Sequence, residues 1–254
     1  MGTVIIGQQM FLVDCIIFDK DGTLIDFDLF WGPRTEKWVD AMAASLQLGD
    51  DFKNEVYELI GYSRLKNQVR FESPLAVASM DILCSLAGGV ICQYGVPWFQ
   101  ARILAEDCAN STMSTELKMG EITPKGDLVG VMQQLTDAKI SLALVTNDNR
   151  QMTEDTLAYL GISDFVSALV CGDDPIPNKP APDGIWAITK QLSLTADRIM
   201  MIGDSLSDMQ FADNAGAAFR IGITSDPEAA ARLADRADAV ITSVDELSVL
   251  TNQQ

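Results

Sequence analysis

Short, uninterrupted apolar runs recur along the chain and alternate with longer segments of helical periodicity. Runs of this kind, rich in β-branched residues, are typical of strands buried on both faces of a parallel sheet. The pattern predicts strands at 14–18, 140–145, 166–170, 199–202, 218–221 and 238–241. It predicts helices at 125–138, 151–160, 182–192, 206–215 and 227–234. Regular alternation of strand and helix indicates an α/β fold with a doubly wound parallel sheet, that is, a Rossmann-like core.

The segment between the first and second of these strands has a different pattern. It shows helical periodicity with few strand signals, and helices are predicted at 33–48, 51–60, 74–90 and 97–115. We therefore expect a Rossmann-like core formed by 1–26 and 121–254, with a smaller α-helical domain, 27–120, inserted after the first strand. The stretch Met1–Gln9 is interpreted as a short lead-in strand or a cloning remnant.

Composition fits a globular protein and excludes some classes of site. The chain has 254 residues, of which 48% are hydrophobic and 21% charged, enough for a sizeable core. It contains no histidine, which excludes a Ser-His-Asp triad and histidine-ligated zinc. Its five cysteines are scattered without paired metal spacing, so we interpret them as buried hydrophobes in a reducing compartment and expect a cytoplasmic protein.

The charge balance limits the kinds of partner. Asp and Glu number 36 against 18 Lys and Arg, a net charge of -18, and no basic stripe is visible. This argues against a nucleic-acid partner. No signal peptide or membrane span is recognised, so no membrane partner is expected. No pattern in the sequence indicates an oligomeric state.

The most informative motif follows the first predicted core strand. Asp19 and Asp21 leave this strand together, and Gly22 and Thr23 follow them. Two carboxylates at one strand end can supply an anionic nucleophile and a second, proton-handling group. The carboxyl ends of strands are where open α/β sheets hold ligands. The alternative is an ordinary Asp-Gly turn, which is common after strands.

Two further clusters could bind an anion. Thr146 and Asn147 end a second buried strand, and their hydroxyl and amide can donate hydrogen bonds to phosphate oxygens. Lys179 lies between prolines that restrict the backbone, and could place one positive charge over a phosphate. Their alternatives are a helix N-cap for the first cluster and a solvated loop lysine for the second.

The last cluster could bind a cation. Asp204 and Asp208 are four residues apart, after an apolar run and at a predicted helix start. At this spacing their carboxylate oxygens can face the same way and coordinate a hard cation. Helix capping by Asp204 or Ser205 is the competing interpretation.

Together the four clusters resemble the motifs of the haloacid dehalogenase superfamily of hydrolases. The resemblance rests on Asp-x-Asp-Gly-Thr at Asp19–Thr23, on Thr146 followed by Asn147, on the lysine before Pro-x-Pro at 179, and on Gly-Asp-Ser-x-x-Asp at 203–208. It covers roughly the first thirty residues and the chain from about residue 120 onward. The form of the last motif and the inserted helices are similar to phosphoglycolate phosphatase-like members.

The resemblance implies roles for these residues. Asp19 would attack phosphorus to form an aspartyl-phosphate, and Asp21 would protonate the leaving oxygen and then activate water. Asp19, Asp204 and the main-chain carbonyl of Asp21 would hold Mg²⁺. Asp208 would orient metal-bound water or Lys179. Gly22 and Thr23 would support the first motif, and the remaining site residues would bind the phosphoryl oxygens: Thr146, Asn147 and Lys179.

The resemblance also implies a substrate class and leaves two alternatives open. The inserted helices would form a cap that closes over the site, which usually accompanies small phosphorylated metabolites. The presence of Asp21 argues for phosphorus chemistry, since the dehalogenase branch lacks the second aspartate. A sugar-phosphate mutase and a non-catalytic phosphometabolite-binding protein remain as alternatives. Lys20 is a departure from the subgroup, where a hydrophobic residue is more usual.

Overall fold

The fold is seen in a computed structural model that describes residues 2–113 and 120–250. Its strands, in chain order, are β1 (Gly2–Ile6), β2 (Gln9–Val13), β3 (Cys15–Phe18), β4 (Tyr62–Ser63), β5 (Gln68–Val69), β6 (Ser141–Val145), β7 (Val166–Val170), β8 (Ile199–Gly203), β9 (Phe219–Ile223), β10 (Ala239–Ile241) and β11 (Ser248–Val249). Its helices are α1 (Phe27–Leu46), α2 (Asp50–Ile60), α3 (Pro74–Val77), α4 (Met80–Gln93), α5 (Trp98–Thr112), α6 (Leu128–Asp137), α7 (Arg150–Leu160), α8 (Asp183–Leu192), α9 (Leu206–Ala215) and α10 (Pro227–Ala234).

By its internal contacts the chain divides into two compact units. One comprises the residues up to Asp26 together with those from Pro124 onward, and the other is Phe27–Thr123. The first unit is therefore discontinuous in sequence, whereas the second is one continuous segment.

The first unit is built on a parallel sheet with the strand order β10-β9-β8-β3-β6-β7. Strand β3 lies at its centre and is buried along its whole length, with β6 and β8 as parallel neighbours. This sheet and its flanking helices confirm the predicted doubly wound α/β fold.

Side chains that alternate along the central strands pack under α8 and α9. Residues of the strands, such as Ile17, Val145 and Met201, join Ile185 of α8 and Phe211 of α9 in one buried apolar cluster. Successive side chains of a strand point to opposite faces, so the remaining strand residues face the other side of the sheet. The two central strands, β3 and β8, contain only apolar residues and glycine, as burial on both faces requires.

A second sheet in this unit was not predicted. Strands β11, β1 and β2 form a three-stranded antiparallel sheet in which β1 is central. Residues 2–9, interpreted above as a lead-in strand or remnant, thus form β1 and the start of a hairpin. Phe11 of β2 packs edge-on against Phe219 of β9, with ring centroids 5.0 Å apart, and this contact joins the hairpin to the main sheet.

The second unit is mainly helical. Helix α1 begins at Phe27, earlier than predicted, and accommodates Pro33 within its first two turns. The predicted helix 74–90 is divided into α3 and α4, and the last two positions of the predicted helix 97–115 lie outside the described residues. Strands β4 and β5 form a small hairpin that was also not predicted.

No helix among residues 2–113 and 120–250 is both long and apolar enough to cross a membrane.

Candidate active site

The first motif emerges from the centre of the parallel sheet. Asp19 directly follows β3, and its backbone N–H donates to the carbonyl oxygen of Ile202 on β8 at 2.9 Å. This bond extends the ladder by one residue and fixes the Cα of Asp19. Asp19 is 7% exposed, so its carboxyl is nearly withdrawn from water.

Lys179 reaches this carboxyl from the loop after β7. Its Nζ lies 2.5 Å from Oδ1 of Asp19 and 2.7 Å from Oδ1 of Asp208. The lysine side chain is only 5% exposed, which excludes the interpretation as a solvated loop lysine. One ammonium thus joins a residue that follows β3 to a residue of α9, and the two are far apart in the sequence.

Three carboxylates gather around this ammonium. Asp19, Asp204 and Asp208 each place an oxygen within 4.8 Å of the others. Ser205 is the N-cap of α9, and its hydroxyl and backbone N–H both donate to Oδ2 of Asp208, at 2.6 and 3.1 Å. Capping by Ser205 and clustering of the aspartates therefore coexist, because the cap orients Asp208 and does not use Asp204.

Burial makes the negative charge of this cluster costly. It raises the pKa of Asp19 to about 7, although the Lys179 ammonium opposes the shift. Burial also raises the pKa of Asp204 well above its usual range, and the neighbouring carboxylates of Asp19 and Asp208 add to this. For Lys179 burial alone would lower the pKa, but Asp19 and Asp208 outweigh it and raise the pKa. The surplus of oxygen ligands and negative charge fits a hard divalent cation.

Gly22 lets the backbone approach this cluster. Its φ of +80° is in the left-handed region, and a Cβ there would collide with the carboxyl of Asp204. Its carbonyl oxygen accepts a hydrogen bond of 2.7 Å from Nζ of Lys125, a residue that no sequence motif indicated. Thr23 is fully buried, and its hydroxyl has no hydrogen-bond partner within the described residues.

Thr146 and Asn147 leave the strand next to that of Asp19. Phe18 of β3 is paired with Leu144 of β6, so the two strands end at the same edge of the sheet. The hydroxyl of Thr146 accepts from the backbone N–H of Asp148 at 3.1 Å. Oδ1 of Asn147 is buried without a hydrogen-bond partner in the described part of the chain.

The N-cap alternative for this cluster is wrong by two or three residues. The cap of α7 is Asn149, whose Oδ1 accepts from the backbone N–H of Met152 at 2.9 Å. The side chains of Thr146 and Asn147 therefore do not cap α7. They lie in the loop between the end of β6 and the N-cap residue.

Lys20 forms a second buried ion cluster beside the first. Its Nζ lies 2.8 Å from Oδ2 of Asp21 and 2.9 Å from Oδ2 of Asp148, and its side chain has no exposed surface. Burial alone would lower the pKa of Lys20, but the two carboxylates outweigh it and raise the pKa. In the sequence, Lys20 stands out because a hydrophobic residue is more usual at this position of the motif. No motif indicated Asp148 as its partner. A buried lysine needs a counter-charge, but nothing in the sequence shows which distant carboxylate supplies it.

Comparison with known proteins gives a consistent result. The model of a hydrolase family, described as haloacid dehalogenase-like hydrolase, matches residues 13–216. Phosphoglycolate phosphatase of Salmonella typhi is 27% identical over 207 residues, which are 79% of this chain and 77% of that protein.

Two more comparisons show less. The first is a sequence match over a short segment, and the second is a similarity of fold at low sequence identity. Phosphoglycolate phosphatase of Pectobacterium atrosepticum is 36% identical over 85 residues, 34% of this chain, and the match spans only 36% of the relative's length. The crystal structure of a protein described as a putative beta-phosphoglucomutase from Thermotoga maritima has a TM-score of 0.60 at 18% identity, over 92% of this chain and 95% of that one.

Proposed function

This chain belongs to the haloacid dehalogenase-like hydrolase family, and we propose that it is a Mg²⁺-dependent phosphatase. Its substrate would be a small phosphorylated metabolite of the phosphoglycolate or sugar-phosphate type, which makes the enzyme a phosphoric monoester hydrolase. The observation that carries the proposal is the buried contact of Lys179 with Asp19 and Asp208, with Asp204 beside them. This combination of one ammonium and several carboxylates suits phosphoryl transfer.

The nucleophile of the proposed reaction is Asp19. One of its carboxylate oxygens attacks phosphorus, the bond from phosphorus to the leaving oxygen breaks, and an aspartyl-phosphate forms. Asp21 gives its proton to the leaving oxygen, so that an alcohol departs. Asp21 then accepts a proton from water as the water oxygen attacks phosphorus, which releases phosphate and restores Asp19.

The residues present fit a divalent cation. Asp19, Asp204 and the main-chain carbonyl of Asp21 would hold Mg²⁺, and Asp208 would keep Lys179 in place. When bound, the ion offsets the charge of the buried carboxylates and of the phosphoryl oxygens, so that one anion can approach another.

The phosphoryl oxygens would be bound by Thr146, Asn147 and Lys179. Lys179 is already held by two carboxylates, so its charge needs no reorganisation when substrate arrives. Asn147 lies just after the end of β6, and its buried Oδ1 keeps the amide group at this end of the strand. We further propose that residues 27–120 are the cap domain of this family.

The experiment that tests the proposal measures phosphate release from a panel of phosphorylated metabolites. The panel contains phosphoglycolate, sugar phosphates and nucleotides, each assayed with Mg²⁺ and then with EDTA. We expect hydrolysis that EDTA abolishes. Conversion of a sugar phosphate to its isomer without phosphate release would instead indicate a mutase, and binding of phosphorylated compounds without turnover would indicate a binding protein.

A nucleophile variant tests the mechanism. Asp19→Asn should lower kcat by at least about a thousandfold, because an amide cannot form the acyl-phosphate, while the circular dichroism spectrum stays unchanged. Asp238→Asn is a suitable control, since this residue pairs with Arg220 at 2.8 Å elsewhere in the same unit. Activity of Asp19→Asn close to that of the wild type would rule out the proposed nucleophile.

A further inference from the structure

Lys20 contacts the proposed proton carrier on both of its oxygens. Nζ of Lys20 lies 2.9 Å from Oδ1 and 2.8 Å from Oδ2 of Asp21. The ammonium is therefore placed on the axis of the carboxyl group and restricts its rotation. The side chain of Asp21 is 13% exposed, so part of it stays accessible while Lys20 holds both oxygens.

Lys20 is itself held by Asp148, which makes several hydrogen bonds of its own. Oδ2 of Asp148 forms an ion pair with Nζ of Lys20 at 2.9 Å, and Oδ1 of Asp148 accepts a hydrogen bond from the backbone N–H of Asn149 at 2.7 Å. Its own backbone N–H donates to Thr146, and its carbonyl oxygen accepts from Gly172 at 2.7 Å. The chain of contacts thus ties Asp21 to the loop between β6 and α7.

Stability alone does not account for this cluster. Taking a lysine and two carboxylates out of water is costly, and an apolar side chain of similar volume often stabilises a fold equally well. The residue before Lys20 is Asp19 and the residue after it is Asp21, so the charge lies at the reacting centre. A carboxyl that must give and take a proton gains from a fixed orientation, because small displacements cost rate.

We propose that Lys20 and Asp148 are positioning residues for Asp21. The two side chains hold the Asp21 carboxyl in the orientation from which it transfers a proton to the leaving oxygen of the substrate. This inference rests on the proposed phosphatase function and adds two residues to it. Neither Lys20 nor Asp148 needs to touch the substrate.

The dependence of rate on the leaving group distinguishes positioning from a structural role. An alkyl phosphate releases a strongly basic alkoxide unless a proton is supplied, whereas 4-nitrophenyl phosphate releases a stable phenolate without one. The value of kcat/KM reports the steps up to transfer of the phosphoryl group. A displaced Asp21 should therefore slow the alkyl ester much more than the aryl ester.

The experiment measures kcat/KM with both esters for the wild type, Lys20→Met and Lys20→Met/Asp148→Asn, with Asp238→Asn as control. The double variant is included because the single one leaves two buried carboxylates without a counter-charge. We expect kcat/KM for the alkyl ester to fall about 10- to 100-fold more than that for the aryl ester. The inhibition constant of inorganic phosphate should stay within about twofold, since Lys179 and Thr146 are unchanged.

The possible outcomes separate the inference from the function on which it rests. Equal losses on the two esters in a folded variant would assign Lys20 a structural role and overturn the inference while leaving the phosphatase function intact. Undiminished activity on both esters would overturn it as well. A wild-type protein that hydrolyses neither ester in Mg²⁺ would contradict the proposed function and the inference together.

Discussion

At the scale of the residue, Asp19 is the proposed nucleophile, and its burial also lowers the stability of the folded protein at neutral pH. Its carboxyl is buried, and burial raises its pKa to about 7, while Lys179 opposes this shift. In the unfolded chain the same carboxyl titrates near 3.9. Between these values the folded protein holds a proton that the unfolded chain has lost. The stability that this group contributes is therefore present below about pH 4 and is lost as pH rises through 7.

We predict a pH-dependent stability gain in the Asp19→Asn variant. In EDTA, its free energy of unfolding minus that of the wild type should be more positive at pH 8 than at pH 5, by on the order of 1–3 kcal/mol. Asparagine carries no charge, so it avoids the cost that the ionised carboxyl incurs at the higher pH. Urea denaturation followed by circular dichroism at the two pH values measures this difference.

The control again removes a carboxyl away from the cluster. Asp238→Asn should show no comparable gain at pH 8. The free energy of unfolding of Asp19→Asn minus that of the wild type could instead be the same at pH 5 and pH 8. The carboxyl of Asp19 would then not titrate between these values, which would contradict the raised pKa.

The residues of the site differ in how far sequence could predict them. The four motifs indicated Asp19, Lys179, Asp204 and Asp208, and the structure brings these side chains together. The partnership of Lys20 with Asp148 could not be predicted, because it joins positions far apart in sequence and each is a common residue type. Only the three-dimensional approach of β3 and β6 makes them neighbours.

At the scale of the element, the hairpin of β1 and β2 buries one face, and this face includes an aromatic contact with the main sheet. Phe11 is 5% exposed and packs edge-on against Phe219, whereas Leu12, its neighbour in β2, is 45% exposed. Alternate residues of the strand thus have opposite roles, as the two faces of a half-covered sheet require.

We predict that Phe11→Ala lowers the free energy of unfolding by about 3 kcal/mol, because it removes a buried ring and leaves a cavity. Leu12→Ala is the matched control in the same strand and should cost less than about 1 kcal/mol. Chemical denaturation of the two variants measures both values. Similar costs for the two substitutions would mean that the hairpin does not pack against β9 as described.

Elements with strong local patterns were predicted well, and those that depend on distant pairing were not. The strands of the parallel sheet could be recognised because each is a continuous apolar run between turns. The antiparallel sheet could not, since β1 pairs with β11 and the two residues of β11 carry no pattern of their own. The hairpin of β4 and β5 is equally short.

At the scale of the whole molecule, charge governs the approach of ions. The net charge of -18 attracts cations and repels anions within about a Debye length of the surface, and salt screens it beyond that distance. Asp19, Asp204 and Asp208 add a local negative field at the place where a cation is proposed to bind.

We predict that added KCl weakens Mg²⁺ binding. The dissociation constant for Mg²⁺, measured by calorimetry, should rise about threefold or more between 10 and 200 mM KCl, because salt screens the attraction of the acidic surface. Sucrose added to the same osmolality should have no such effect. An affinity that does not respond to KCl would show that only the ligands of the site, and not the field of the molecule, determine binding.

The discontinuous unit has a consequence for synthesis on the ribosome. Strand β3 is made early, yet its neighbour β8 follows roughly 180 residues later, and at about 5–20 residues per second this delay lasts on the order of ten seconds or more. The continuous unit Phe27–Thr123 is complete well before then. We therefore expect it to fold first, while the apolar β3 still lacks both of its parallel neighbours, β6 and β8.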